Sequence, residues 1–261
     1  DESEGMYIIS LIKDNIDSLC HGNSEFIKLV EKEINIGILG KWTEQIHNYT
    51  ISFSCNGDSL AMWNYYTKGN AIQGYNVGFD VRELTDNIKI EILDNEGKLV
   101  ERDVDNHLVL FQGKVIYDPR RQLEIIKNIF DKFYLVYAEN TNDEAMTLMA
   151  HYVVQKSMDY GRFFKPHKFS IEEEYRLMYS TCIFANGEAV EKGIPFKELY
   201  RIQQGCLIPY QKCIFSKESL KEITFSPTLH NEMAEAGLMR MLYTKGLKKV
   251  KVKKSTIPLR F

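Results

Sequence analysis

The sequence predicts an α+β protein, with mixed, mainly antiparallel sheets and a helical block between them, in a single domain over residues 1–261. Short stretches with period-two alternation of apolar residues lie on both sides of the centre of the chain. Two long helical patterns follow one another in the middle, from Pro119 to about Glu139 and from about Asp143 to Tyr160. Strands do not alternate one by one with helices, as a doubly wound parallel sheet would require.

Residues 6–20 and 24–48 read as helices, the second with Phe26, Leu29, Val30 and Ile34 near helical spacing. Tyr49 to Ser54 reads as a strand. Asn56-Gly57 then makes a turn, and Asp58 is placed to cap a helix starting at Ser59. From Gln73 to Asp80, Tyr75, Val77 and Phe79 fall on one face, as in a half-buried strand. Residues 88–93, 98–104 and 107–117 read as antiparallel strands, the first two joined by an Asp94-Asn95-Glu96-Gly97 turn. Pro119 suits the first turn of the long central helix. Strands follow at 172–182, 197–204, 206–215 and 221–225. Pro227 leads into a helix from about Thr228 to Tyr243, Gly246 ends it, and Lys248 to Lys254 is the last strand.

Bulk properties narrow the function. The 261 residues are 44% hydrophobic and 26% charged, which is enough apolar material for a real core. A net charge of −3 gives no global reason to bind nucleic acid. No apolar run approaches the roughly 18 residues that span a bilayer. The acidic start Asp1-Glu2-Ser3-Glu4-Gly5 lacks the order of a signal peptide. Cys20, Cys55, Cys182, Cys206 and Cys213 are odd in number and form no Cys-x-x-Cys, so reduced thiols in a cytoplasmic protein are expected. His21, His47, His107, His151, His167 and His230 show no metal-ligand spacing, and no metal is expected.

Two stretches carry candidate chemistry. On a strand, Glu172, Glu174 and Arg176 share one face. One carboxylate there can bind a sugar hydroxyl or steady a developing cation, and the guanidinium can hold the other carboxylate or a phosphate. The same spacing also suits a solvated face of alternating ion pairs. Ser52 and Ser54 likewise share a face, where small hydroxyls can position a ribose or phosphate, or simply end a strand. Trp63 and Tyr66, three apart on a helix, can stack a base or a nicotinamide ring, or pack in the core. The lysine-rich segment from Lys245 to Lys254, interleaved with Val250 and Val252, reads as an edge strand kept soluble by its charges, with nucleic-acid binding the alternative.

Taken together, these residues resemble a known family. Ser52-Phe53-Ser54, Asp58-Ser59-Leu60, Met62-Trp63 and Gly74-Tyr75 followed by Val77-Gly78-Phe79-Asp80 are similar to the bacterial domain-of-unknown-function family numbered 2971. So are Phe164-Lys165, Phe169, Glu172-x-Glu174-x-Arg176, Ile208-Pro209-Tyr210, Leu220, Ile223, Pro227 and Ser255-Thr256-Ile257-Pro258-Leu259-Arg260. The resemblance runs over roughly residues 50–260 and brings no activity with it. It further implies that Asp1-Glu2-Ser3-Glu4-Gly5 corresponds to the end of a family segment with Asn-Asp-x-x-Glu, so an N-terminal family element is expected to be missing.

A Ser-x-Ser strand followed by a Glu-x-Glu strand also resembles the motif order of ADP-ribosyltransferases. This second resemblance implies an ADP-ribosyltransferase-like fold with NAD as substrate. Glu174 would hold the ribose 2′-hydroxyl and stabilise an oxocarbenium, and Glu172 would orient the acceptor or water. Ser52 and Ser54 would hold the nicotinamide ribose, Trp63 or Tyr66 would stack a ring, and Arg176 would fix a carboxylate or phosphate. An NAD-using effector of a toxin or phage-defence system, with a protein partner encoded in the same system, is the expectation. A non-enzymatic sensor or partner-binding module, or a nucleic-acid-processing protein, remains as alternative.

Overall fold

A computed structural model describes residues 2–38, 46–67, 73–93, 96, 98–103, 109–137, 142–182, 199–203, 205–229 and 232–258. In chain order the elements are α1 (Glu2–Lys13), α2 (Ile16–Leu19), α3 (Ser24–Ile38), β1 (Ile46–Ser54), α4 (Leu60–Tyr66), β2 (Tyr75–Phe79), α5 (Val81–Asp86), β3 (Lys89–Leu93), β4 (Leu99–Asp103) and β5 (Val109–Lys114). They continue with α6 (Pro119–Tyr137), α7 (Asp143–Gly161), a 3-10 turn (His167–Glu172), β6 (Glu174–Cys182), β7 (Leu199–Gln203) and β8 (Cys206–Tyr210). The last are β9 (Cys213–Ile214), a 3-10 turn (Lys217–Ser219), β10 (Leu220–Phe225), α8 (Glu232–Thr244) and β11 (Lys251–Lys254). The class is α+β. The chain divides into two compact units, Asp1–Phe53 with Phe111–Ala185 and Ser54–Leu110 with Asn186–Phe261.

The first unit is a helical layer with a small sheet. Phe26, Val30 and Ile34 recur every fourth residue of α3, so one stripe of the helix is apolar and buried. They join Ile8 and Ile12 of α1, Ile126 and Phe130 of α6 and Val153 of α7 in one core, with Phe26 and Phe130 edge to face at 6.5 Å. The helix starts are locally specified. Asn23 Oδ1 accepts from the backbone N–H groups of Glu25 and Phe26, and Asn142 Oδ1 accepts from Ala145 at 2.7 Å. Pro119 opens α6 as expected, with Asp118 accepting from the Arg120 N–H. The sheet has the order β1-β6-β5.

Gly161 shows how tightly α1 and α7 meet. A Cβ at this position would stand 2.7 Å from Ile8 Cγ1 and 2.9 Å from Ile8 Cβ, atoms close to a branched stem that has little room to yield. Gly161→Ala is therefore expected to destabilise the protein by about 1–3 kcal/mol, although alanine is the better helix former. A urea midpoint equal to or above that of the wild type would show that the two helices have slack there.

The second unit holds the remaining strands. β10 pairs antiparallel with β2 and parallel with β11. Leu238 and Leu242 of α8 pack with Ile223 and Phe225 of β10. β3 lies between β4 and β9, and β7-β8 is a hairpin. Asp80 caps α5, accepting from Arg82 and Glu83.

Several boundaries differ from the sequence reading. The expected helix over 6–20 is interrupted after Lys13, where the Asn15 side chain donates to the Leu11 carbonyl and competes with the helical ladder. The expected helix over 24–48 is described only to Ile38, and Ile46 already begins β1. Residues 39–45 lie outside the described residues, as do 94, 95 and 97 of the expected hairpin turn. The antiparallel pairing that this turn was expected to connect is present, with Leu93 opposite Leu99. On β2 the expected half-buried face of Tyr75 and Val77 is exposed, and Asn76 and Gly78 are the more covered residues. Helix α5 was not read from the sequence.

Candidate functional site

Glu174 opens β6, and Arg176 stands two residues along, on the same face of the strand. Arg176 Nε donates to Glu174 Oε1 at 2.7 Å and Nη2 donates to Oε2 at 3.0 Å. This is a forked, charge-assisted pair. Both residues are buried, at 6% and 5% exposure. The third guanidinium nitrogen donates to the Arg162 carbonyl. Lys165 Nζ donates to Glu172 Oε2 at 2.6 Å and to Glu174 Oε2 at 3.3 Å, so the ammonium bridges the two carboxylates. Ser52, on β1, gives Glu174 a further hydrogen bond from its hydroxyl.

The local backbone explains this arrangement and corrects the sequence reading in one respect. Glu172 is not on a strand. It ends the 3-10 turn, and Glu173 follows at φ 44°, in the left-handed region. The reversal at Glu173 starts the strand at Glu174 instead of at 172. Glu172 is therefore related to Glu174 through Lys165 and not through period-two spacing. Glu174 is fixed from both sides of its peptide unit: its carbonyl accepts from the Val115 N–H at 2.8 Å, and its own N–H donates to the Tyr117 hydroxyl at 3.0 Å.

A buried glutamine supports the cluster from behind. Gln122 is fully buried, and its Nε2 donates to the carbonyls of Ile116 and Lys165 at 2.6 and 3.0 Å. Its Oε1 accepts from the Tyr7 hydroxyl at 2.6 Å. One side chain thus ties together the segments that carry Tyr117 and Lys165.

Charge follows from these contacts. Burial by itself would raise the Glu174 carboxyl, but the Arg176 guanidinium, the Ser52 hydroxyl and Lys165 outweigh it and hold the group below its ordinary value. Burial would lower the Lys165 ammonium, and the bond to Glu172 with the charge of Glu174 turns that into a net rise. Burial raises the Tyr117 phenol; the bond from the Glu174 N–H works against this, and the charges of the Glu174 and Glu172 carboxylates add to the rise. At neutral pH the Glu174 carboxyl is thus ionised, the Lys165 ammonium charged and the Tyr117 phenol neutral.

Of the residues read from the sequence, Ser52, Glu172, Glu174 and Arg176 stand together in the first unit. Ser54, Trp63 and Tyr66 belong to the second unit. Ser54 Oγ accepts from the Asn56 N–H at 3.1 Å. Trp63 is 5% exposed and Tyr66 is 77% exposed, so the two rings do not form one face. Asp58 does not cap α4; the N-cap is Ser59, with no side-chain cap bond. Instead, Asp58 accepts from Trp63 Nε1 at 2.9 Å, Ser255 Oγ at 2.6 Å and the Thr256 N–H at 2.7 Å. Lys165 and Tyr117 were missed as site residues. Lys165 carried a signal, as part of the Phe164-Lys165 family mark; Tyr117 carried none beyond its place at the end of a strand pattern.

Of the lysine-rich segment, Lys251–Lys254 is an edge strand, as expected, while residues 245–250 are turns and irregular backbone and not strand. β11 lies at the outer side of β10, Lys253 pairs with Glu222, and Lys254 pairs with Glu235 at 3.2 Å. Among the described residues, no group of three or more His, Cys, Asp or Glu is placed to hold a metal ion. No helix among them is long and apolar enough to cross a membrane.

Residues 62–177 match the family model described as "Protein of unknown function (DUF2971)", so this segment belongs to that family, as its motifs suggested. The matched segment includes Tyr117, Lys165, Glu172, Glu174 and Arg176. No curated protein and no solved structure matches the chain significantly.

Proposed function

We propose that the cluster in the first unit is the site of an NAD-using, ADP-ribosyltransferase-like or NAD-hydrolysing effector, of the kind that serves toxin or phage-defence systems. The observation that supports this most is the hydrogen bond from Ser52 to Glu174, which joins side chains more than a hundred residues apart in sequence. In the reaction, the bond between the ribose C1′ and the nicotinamide nitrogen breaks, and its electron pair leaves with nicotinamide. The ribose is left as an oxocarbenium. Glu174, kept ionised by its donors, supplies negative charge for that cation. Glu172, which is less deeply buried, accepts the proton of the attacking water or acceptor hydroxyl as the new C1′–O bond forms. Ser52 orients Glu174 and Arg176 holds its carboxylate; of the two roles open to the guanidinium, this is the one supported by contacts.

The alternative is a non-enzymatic sensor or partner-binding module. It is favoured by the 6% exposure of Glu174, whose two carboxylate oxygens are both engaged by Arg176 and one also by Lys165. A carboxylate so occupied serves a structural network as well as it serves a ligand.

The experiment is NAD loss and ADP-ribose transfer by the full-length protein, with and without Glu172→Gln, under activating conditions such as phage infection. Glu172→Gln is expected to cut turnover by about 10²–10⁴-fold, the contribution of a positioned general base, with an unchanged circular dichroism spectrum. A wild-type protein that neither binds nor consumes NAD would remove the enzymatic reading and leave the binding module in its place.

A further inference from the structure

We infer that Tyr117 is the hydrogen-bond donor through which this cluster recognises its ligand, and that the group recognised is an uncharged, hydroxyl-bearing sugar ring, not a phosphate. The inference rests on the proposed site and says which part of a ligand it reads.

The Tyr117 oxygen accepts the Glu174 N–H at 3.0 Å, which fixes the phenol beside both carboxylates. A phenol also has a proton to give. Among the described residues, no acceptor takes it. Tyr117 is half-buried at the edge of the cluster, so that proton is available to a ligand oxygen. Carboxylates and hydroxyls in one place suit a polyol, which both donates and accepts. Glu172 can accept from one ligand hydroxyl while Tyr117 donates to its neighbour.

Charge argues against a phosphate at the same spot. Lys165 is committed to Glu172 and Glu174, and Arg176 to Glu174 and the Arg162 carbonyl. Within this group the two cations therefore face two carboxylates, which leaves no surplus of positive charge among these four side chains to draw an anion. A phosphate would have to break one of these pairs, and it would meet the Glu172 carboxylate. Any phosphates of a dinucleotide ligand must accordingly lie outside the Lys165–Glu172–Glu174–Arg176 group.

The test is calorimetric titration of the full-length protein with NAD, adenosine, uridine, ribose 5-phosphate and inorganic pyrophosphate, for the wild type and for Tyr117→Phe. Phenylalanine keeps the ring and removes only the hydroxyl. The wild type should bind at least one riboside, and Tyr117→Phe should weaken that binding roughly 3- to 10-fold, the size of one neutral hydrogen bond. Pyrophosphate should not compete. A lower thermal midpoint with unchanged affinity would make Tyr117 a purely structural support of the Glu174 backbone and overturn the inference. Competition by pyrophosphate would overturn the choice of sugar over phosphate. If the wild type binds ribosides but not NAD, the proposed function fails and this inference stands. If it binds none of the panel, both fail.

Discussion

Glu174→Gln is expected to lower the unfolding free energy by about 3–5 kcal/mol, the loss that follows when one partner of a buried ion pair is removed. The side chain keeps its shape, but the Arg176 guanidinium, at 5% exposure, loses its counter-charge while its bond to the Arg162 carbonyl remains. A Glu174→Gln, Arg176→Met double variant removes both charges and should be less destabilised than the two single variants added together. The deficit also depends on pH. The folded-state value of Glu174 lies below its unfolded value, so its contribution is complete above the ordinary carboxylate range, near pH 4.3, and fades as pH falls through the folded value. The gap between wild type and Glu174→Gln should therefore be largest at neutral pH and should close in acid. Urea midpoints at several pH values measure it; a neutral-pH difference below about 1 kcal/mol would mean that the pair is solvated after all. The burial of Arg176 makes lost stability part of any Glu174→Gln phenotype, which is why Glu172 and Tyr117 are the better probes of chemistry.

What the sequence disclosed follows from how locally each feature is specified. The α3 stripe and the Pro119 start of α6 depend on neighbours within one or two turns, and both are found. The edge position of β11 was legible because alternating lysine and valine suit a strand with one solvated side. The class was legible because strand patterns flank two long helical ones. The candidate site was legible only in part. Glu174 and Arg176 belong to one strand, and period two brought them together. Glu172 was placed near them by the wrong argument, since nothing in His167-Lys168-Phe169-Ser170-Ile171-Glu172 advertises a 3-10 turn over a strand. Lys165 and Tyr117 reach the cluster through the backbone pairing of Ile116 with Phe164 and through Gln122, contacts of the folded chain that no spacing rule contains. Asp58 misled for the opposite reason: its position suits a cap, but its oxygens go to Trp63, Ser255 and Thr256, the last two almost two hundred residues away.

Trp63→Ala should be comparably costly, at about 3–5 kcal/mol, because it removes a large buried side chain and its indole N–H together. Two contributions can be separated. Trp63→Phe keeps much of the ring volume but leaves Asp58 without the 2.9 Å bond from Nε1. Burial would raise the Asp58 carboxyl, but the bonds from Ser255, Trp63 and Thr256 outweigh it and keep the group below its ordinary value, so this bond is made to a charge. Hydrogen bonds to charged groups contribute about 1.5–3 kcal/mol, and Trp63→Phe should lose an amount near that, clearly less than Trp63→Ala. Asp58→Ala should remove the bonds to Ser255 and Thr256 as well and free the segment that follows β11. Denaturation midpoints for the three variants decide the matter. An unchanged midpoint for Trp63→Ala would show that the ring contributes no packing, and equal losses for Trp63→Ala and Trp63→Phe would assign the whole effect to the bond with Asp58. If Trp63→Phe instead keeps its stability and loses only NAD binding, the ring-stacking role suggested by Trp63 and Tyr66 in the sequence takes precedence over packing.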